Sequence, residues 1–438
     1  MNQKRLLEIL KSFPSKKILV AGDFILDQYL MLNHDISEVS LETGLESYQA
    51  YKIKNSPGAA GTVANGLSSM DVKVIGLGVY GKDGLGLDLK EELIRRKIDM
   101  SYMIESDQIL TAAYMKPILT GKKELTHEIS RIDIRTRAPI PEEIEKQILS
   151  NLENAFIEAD GMMIVDQIPE SYCGVITENF RKKTAELAEK FPEKPILVDS
   201  RLRSGLFKNA IIKCNQFEAL QAAKTNTLDA AAAVLYEKNP RGVFITLAEK
   251  GIMVCSKDGR VIIPAVPEEG PFDITGAGNS ADTGIISSLC SGSTFEEAGE
   301  IGNLIAAITI KQIGTTGTAK RGQVEAINNK YEEAKNKPLS VKAEKSEVLA
   351  VEKRKKNVIS SKEKEDSKKK AEKKKSPKKI AVSIKKAKDE NQKKLLVTKK
   401  SARKKVVEKD SAEKKTLKAV QKRKKTADKD LTKENGEK

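Results

Sequence analysis

The 438-residue sequence has no tryptophan, two histidines and four cysteines. Cys173, Cys214, Cys255 and Cys290 lie far apart, and none belongs to a Cys-x-x-Cys pair. That spacing argues against a disulfide framework and a zinc site, and for free buried thiols in a reducing compartment. His34 and His127 have no second potential ligand at useful spacing. No run reaches the roughly 18 apolar residues of a membrane span. The opening "MNQKRLLEILKSF" has helical apolar spacing and lacks the continuous apolar stretch of a secretion signal. A cytoplasmic protein is expected.

One region also lacks aromatics. Residues 341–438 contain no Phe, Tyr or Trp, and their last proline is Pro377. They hold 37 Lys+Arg against 16 Asp+Glu, a net of +21, whereas the whole chain is +16, so residues 1–340 carry −5. A segment so charged and so poor in apolar groups cannot bury enough surface to offset the entropy of ordering. The expected division is a folded domain over 1–335 and a disordered Lys-rich tail over 336–438. Lysine runs such as "KKKSPKKI" suit salt-sensitive binding to nucleic acid through 341–438. With no interleaved aromatics, base stacking is not supported. A merely solubilising tail stays open beside that reading.

In the folded part, short Ile- and Val-rich runs recur: "KILVAG" (17–22), "VKVIGLG" (72–78), "GMMIVD" (161–166), "PILVDS" (195–200), "AIIKCN" (210–215) and "VFITL" (243–247). Strands this uniformly apolar belong in a sheet covered on both faces. Helical patterns over 83–97, 141–156 and 177–191 alternate with them. The expected class is α/β, a doubly wound, mostly parallel sheet. Residues 30–56 and 100–135 instead alternate with period two, which predicts antiparallel strands in a small β-lid. Ordinary edge hairpins are the competing reading.

The most informative stretch is "DITGAGNSADTG" (273–284). Gly276 and Gly278 permit a tight turn and close backbone approach, and the apolar run that follows suits a buried helix. The free N–H groups of that helix's first turn form an anion site. The segment resembles the D-[TV]-x-G-A-G-D signature of the ribokinase (PfkB) family of carbohydrate kinases. The likeness continues in "VAGDFILDQYL" (20–30), "SPGAAGTVANGLSSM" (56–70), "RID" (131–133), "VDSR" (198–201), "CNQFEA" (214–219), "TLAEKG" (246–251) and "IGNLIAAITIKQIGTTGT" (301–318). Within the family, "GD-x-x-LD-x-Y" is most similar to the heptose-7-phosphate kinases of ADP-heptose synthesis.

The resemblance implies a ribokinase-like fold and ATP-dependent phosphoryl transfer to a sugar or sugar phosphate, with Mg2+. It places Asp27 on sugar hydroxyls and Gly58, Ala59 and Thr62 around the sugar. It places Gly276, Ala277 and Gly278 as the anion hole and Asn279 at the position of the catalytic base. Asn215 and Glu218 would organise magnesium through waters, Thr246 and Gly251 would form the nucleotide-side turn, and Asn303 would lie near the adenine. It also implies a homodimer through the lid. Simpler readings stand beside these: Asp27 as a turn cap, and Asn215 with Glu218 as a helix N-cap and first-turn acid.

The departures fall at the chemistry. The signature's final Asp is Asn279, and an amide cannot take a proton from an attacking hydroxyl. The second sugar-turn glycine is Ala59, the usual Asn of the following helix start is Thr62, and T-x-G-x-x-G has Ala248. Asp282 lies one turn beyond Asn279 on roughly the same helix face, but about 5 Å is too far for a direct substitute. Three readings follow: a kinase that works despite Asn279, an impaired kinase-fold protein that binds nucleotide or sugar as a pseudokinase scaffold, and a partner module for a nucleic-acid-binding tail.

Overall fold

The structure, a computed structural model, describes residues 1–121 and 124–336. The expected tail lies outside those residues. The strands are β1 (Lys17–Gly22), β2 (Phe24–Val39), β3 (Glu46–Ala59), β4 (Lys73–Leu77), β5 (Val79–Gly81), β6 (Ile104–Ser106), β7 (Ala113–Gly121), β8 (Glu124–Glu128), β9 (Ile132–Ile134), β10 (Gly161–Asp166), β11 (Ile196–Ser200), β12 (Ile211–Asn215), β13 (Val243–Thr246), β14 (Ile252–Ser256) and β15 (Gly259–Ile263). The helices are α1 (Gln3–Ser12), α2 (Ala60–Ser69), α3 (Gly84–Arg95), α4 (Glu142–Glu158), α5 (Glu178–Lys190), α6 (Gln216–Ala223), α7 (Leu228–Lys238), α8 (Ala277–Cys290), α9 (Phe295–Thr309) and α10 (Arg321–Asn336).

The main sheet runs β15-β14-β13-β12-β11-β10-β1-β4. It is parallel from β13 to β4, and β14 and β15 join antiparallel at one edge. The alternation of side chains along each strand feeds two cores. Ile18 and Val20 of β1 pack with α1, α2, α8 and α9, while Leu19 and Ala21 pack with α4, α5 and α7. This is why the parallel strands read as unbroken apolar runs. Helix starts follow ordinary capping chemistry: the Thr177 hydroxyl accepts from Phe180 N, and Thr294 with Glu297 forms a reciprocal capping box.

The lid is a second sheet, β3-β2-β7-β8, with β9 also on β7. It starts earlier than the alternating pattern suggested, because β2 and β3 pair from Phe24–Ala59 outward, with two slips in register farther along. One expectation is corrected here. β2 and β7 run parallel, not antiparallel, since the chain returns through α2, α3 and a second small sheet before entering β7. Residues 100–112 also stay out of the lid, with Ile104–Ser106 pairing β5 instead. Ile36, Val39, Leu41, Leu45, Tyr51 and Ile53 leave the outer lid with exposed apolar side chains. Among the described residues no helix is long and apolar enough to cross a membrane. All four cysteines are free, with Cys214 and Cys255 buried and Cys173 and Cys290 partly so.

Backbone strain marks two of the departures. Ala59 sits at φ 51°, ψ −115°, and Ala248 at φ 53°. Both occupy positions where the resembled motifs have glycine, so the glycine-type backbone persists and the alanine methyl is strained by it. Ala59→Gly is expected to raise unfolding free energy by about 1 kcal/mol, the release of strain exceeding the added unfolded-state entropy. Urea denaturation would show it. A loss of stability in that variant would mean that the Ala59 methyl is well accommodated.

Candidate active site

The sequence-predicted residues gather at the carboxyl ends of the parallel strands and the base of the lid. Asp27 lies in the first half of β2 and is 4% exposed. Its carboxylate rests on Gly58 of the neighbouring strand, where a Cβ would stand only 2.9 Å from Asp27 Cγ. Gly58 is therefore required by the Asp27 side chain itself.

The sequence reading missed Asp27's partner. Lys116, from β7, places its ammonium 3.0 Å from Asp27 Oδ1 and 4.9 Å from the centre of the Tyr29 ring. Burial pushes the Asp27 carboxyl up, against the pull of Lys116 and Arg131. Burial likewise opposes the Lys116 charge, yet Asp27 and Tyr29 together hold it above the usual lysine value. Asp27 Oδ1 is buried and meets the Lys116 ammonium as its charge partner. Thr62 turns away: its hydroxyl donates to Pro57 O at 3.2 Å.

Next to the lid base, Asp23 ties the end of β1 to the loop after β10. Its carboxylate accepts from Gln167 N, Ile168 N and Val175 N. Burial and the nearby Asp166 charge push it up to about 6, against those three amides. Asp166 is in turn gripped by the Arg203 guanidinium.

The glycine turn behaves as its sequence implies. Gly276 is the N-cap of α8 at φ 81°, and no side chain caps the helix. Its first turn, Ala277, Gly278 and Asn279, is partly exposed; Ala277 N donates to Ile274 O at 3.1 Å, which leaves the Gly276 and Gly278 amides for an anion. Thr316 packs 3.2 Å from where a Gly276 Cβ would stand, and its buried hydroxyl has no protein partner. An orphaned donor at an uncapped helix start fits a polyphosphate. Burial pushes the Asp273 carboxyl up, but bonds from Thr275 and Gly314, with the Lys116 charge, bring it below its usual value. The Asp273 carboxylate braces the loop by accepting from Thr275 N and Gly314 N.

Asn279 follows at the third helical position, with its backbone oxygen accepting from the Thr283 hydroxyl. Asp282 is fully buried. Its Oδ2 lies 3.2 Å from the Lys213 ammonium, so it does not open toward the turn's exposed side.

On the nucleotide side, Asn215 and Glu218 form a reciprocal capping box at α6: Glu218 N donates to Asn215 Oδ1 at 2.9 Å, and Asn215 N to Glu218 Oε2 at 2.8 Å. The simple N-cap reading is realised. Both are oxygen donors with spare lone pairs, which fits a hydrated magnesium held mainly by phosphates. No group of three or more metal-ligating side chains occurs among the described residues. Thr246 ends β13, its hydroxyl 3.5 Å from Cys214 O. Gly251 has φ 99°, and a Cβ there would meet Ile263 O at 2.0 Å. Asn303 donates to Ile263 O and Pro264 O, both at 3.1 Å, so its amide fastens the strap beside α9.

Comparison with known proteins gives the family and the fold. Residues 21–321 match the pfkB family carbohydrate kinase pattern. The "Bifunctional protein HldE" of Trichlorobacter lovleyi is 25% identical over 363 residues, 81% of this chain and 71% of that one. The protein of the same name from Sulfurimonas denitrificans is 29% identical over 324 residues, 70% of this chain and 63% of its own length. In fold, the chain is similar to Arabidopsis thaliana ribokinase complexed with ribose and ATP (TM-score 0.53, 15% identity, 71% of this chain and 97% of that one). It is also similar to Thermotoga maritima ribokinase (TM-score 0.52, 18% identity, 72% and 98%). With the family pattern spanning 21–321, from the end of the first strand to the start of the last described helix, the chain belongs to the pfkB family of carbohydrate kinases.

Proposed function

We propose that this chain binds MgATP and a sugar or sugar phosphate in the family's manner, and that it transfers phosphate slowly. The observation that carries the reading is Asn279, an amide at the helix start beside the Gly276–Gly278 turn, with Asp282 buried behind it. The amides of Gly276 and Gly278 hold the terminal phosphate, with Ala277 N tied to Ile274 O between them, and Asp27 takes sugar hydroxyls beside the Lys116 ammonium. Asn215 and Glu218 order the waters of magnesium, which neutralises phosphate charge when bound. Thr246, Gly251 and Asn303 shape the nucleotide side. The similarity of "GD-x-x-LD-x-Y" to the heptose-7-phosphate kinases favours a phosphorylated heptose as the sugar.

Without a carboxylate at position 279, the hydroxyl is neither deprotonated nor oriented by charge, a loss of about 10²–10⁴-fold. Calorimetry with MgATP is expected to show binding, while ADP release over a panel of sugar phosphates stays slow. Turnover at ordinary kinase rates, about 1–100 per second, would refute the impaired reading. Absence of nucleotide binding would refute the site itself.

A further inference from the structure

A charged cluster lies under the anion turn, and neither the family pattern nor the sequence motifs assign it a role. Asp199 on β11 and Lys213 on β12 are direct neighbours in the parallel register. The Lys213 ammonium lies 2.7 Å from Asp199 Oδ2 and 3.2 Å from Asp282 Oδ2. All three residues are buried, at 6%, 3% and 0% exposure. Asp282 reaches down from the second turn of α8, and its other oxygen has no partner.

The ammonium is also next to the turn. A Cβ built on Gly278 would stand 3.0 Å from Lys213 Nζ, with no other atom within 4 Å. Gly278 and Asp282 are four residues apart and share a helix face. One cation and two carboxylates therefore sit directly below the backbone amides that face a phosphate. Buried charges are weakly screened, so their balance is felt at the turn.

We propose that Asp282 is a positioning residue that limits the anion affinity of the Gly276–Gly278 turn by holding the Lys213 ammonium against Asp199 and cancelling the positive potential it would otherwise supply. This rests on the reading that the turn receives a nucleotide's terminal phosphate. Lys213 supplies the attraction, and Asp282 and Asp199 set how much of it reaches the ligand. Burial and the nearby Asp199 push the Asp282 carboxyl well up, and the Lys213 ammonium pulls it back toward the charged form; Asp282→Asn keeps a side-chain oxygen for Lys213 and removes the negative charge that the lysine sustains.

Calorimetry with ATP and with AMP on the full chain tests this. Asp282→Asn is expected to bind ATP about fivefold to tenfold more tightly, the scale of one unit charge acting across about two helical turns. Asp199→Asn should shift in the same direction, and Lys213→Gln in the opposite one. AMP affinity should barely move, since AMP does not extend to the turn. A purely structural cluster would weaken binding in every variant, or change ATP and AMP alike, and either result overturns the proposal. So does unchanged ATP affinity in Asp282→Asn. If Lys213→Gln does not fold, the two Asp→Asn variants decide by the sign of their shift. Failure of wild type and Asp282→Asn alike to bind any nucleotide would instead overturn the reading beneath it.

Discussion

Asn279→Asp is expected to raise phosphate transfer by about 10²–10⁴-fold over the wild-type chain. The exchange is isosteric. It also disturbs little, because among the described residues the Asn279 side chain makes no hydrogen bond, and the Thr283 hydroxyl meets its backbone oxygen at 3.1 Å. The new carboxylate would sit at the partly exposed start of α8, where a negative charge is favourable to the helix. The same change should weaken ATP binding. Two like charges about 4 Å apart repel by roughly 4 kcal/mol at an effective dielectric of 20, before screening. The expected pattern is faster turnover with a poorer nucleotide affinity, read by steady-state ADP release and by calorimetry. If the Asp variant is no faster, the sugar side is also closed, with the Ala59 methyl as the first suspect. Tighter ATP binding by the Asp variant would contradict the charge argument.

Lys116→Met is the second large effect, and it concerns stability. The Asp27 and Lys116 side chains are 6% and 10% exposed. Removing the lysine leaves a buried carboxylate whose remaining charge support comes from Arg131. Breaking one side of such a pair typically costs about 3–5 kcal/mol. Urea unfolding of Lys116→Met should show a loss of that order, and adding Asp27→Asn should restore most of it. A loss below about 1 kcal/mol would mean that water or another group already compensates Asp27. The pairing also bears on function, since a sugar that bonds to Asp27 does so in competition with, or alongside, an ammonium already in place.

Much of this molecule was legible in its residues. The parallel strands were readable because burial on both faces removes polar alternation. "GMMIVD" and "KILVAG" became Gly161–Asp166 and Lys17–Gly22 with the expected limits. The antiparallel edge was less obvious: β14 and β15 join through the two-residue turn Lys257-Asp258, with Ser256 opposite Gly259. The glycine turn could be suspected from its own residues, and Gly58 and Asn279 were located through the resemblance to the carbohydrate-kinase motifs. The charge partners could not. Lys116 meets Asp27, and Lys213 meets Asp282, only through strand pairing and helix packing across long sequence separations. A faint trace existed in "YMKPIL" and "IIKCN", where a lysine interrupts an apolar strand. Such a lysine must find a carboxylate, but sequence does not say which.

The capping box at Asn215 and Glu218 teaches a narrower lesson. The same two residues satisfy a helix start and offer oxygens to a hydrated cation. Their pattern therefore supports both readings at once, and the hydrogen bonds at 2.8 and 2.9 Å establish the first without excluding the second.

The long β2–β3 ladder constrains how the lid can move. Sixteen residues of β2 extend from the body to the lid without an intervening loop, roughly 50 Å of continuous strand. A flap on such a beam has no swivel. Its compliance is concentrated where pairing slips, between Met31 and Leu32 and between Asn33 and Glu38, since bulges bend and twist a ribbon more readily than a regular ladder. Asp27 lies on the body side of both slips, so the outer lid can flex while the sugar-facing carboxylate stays still.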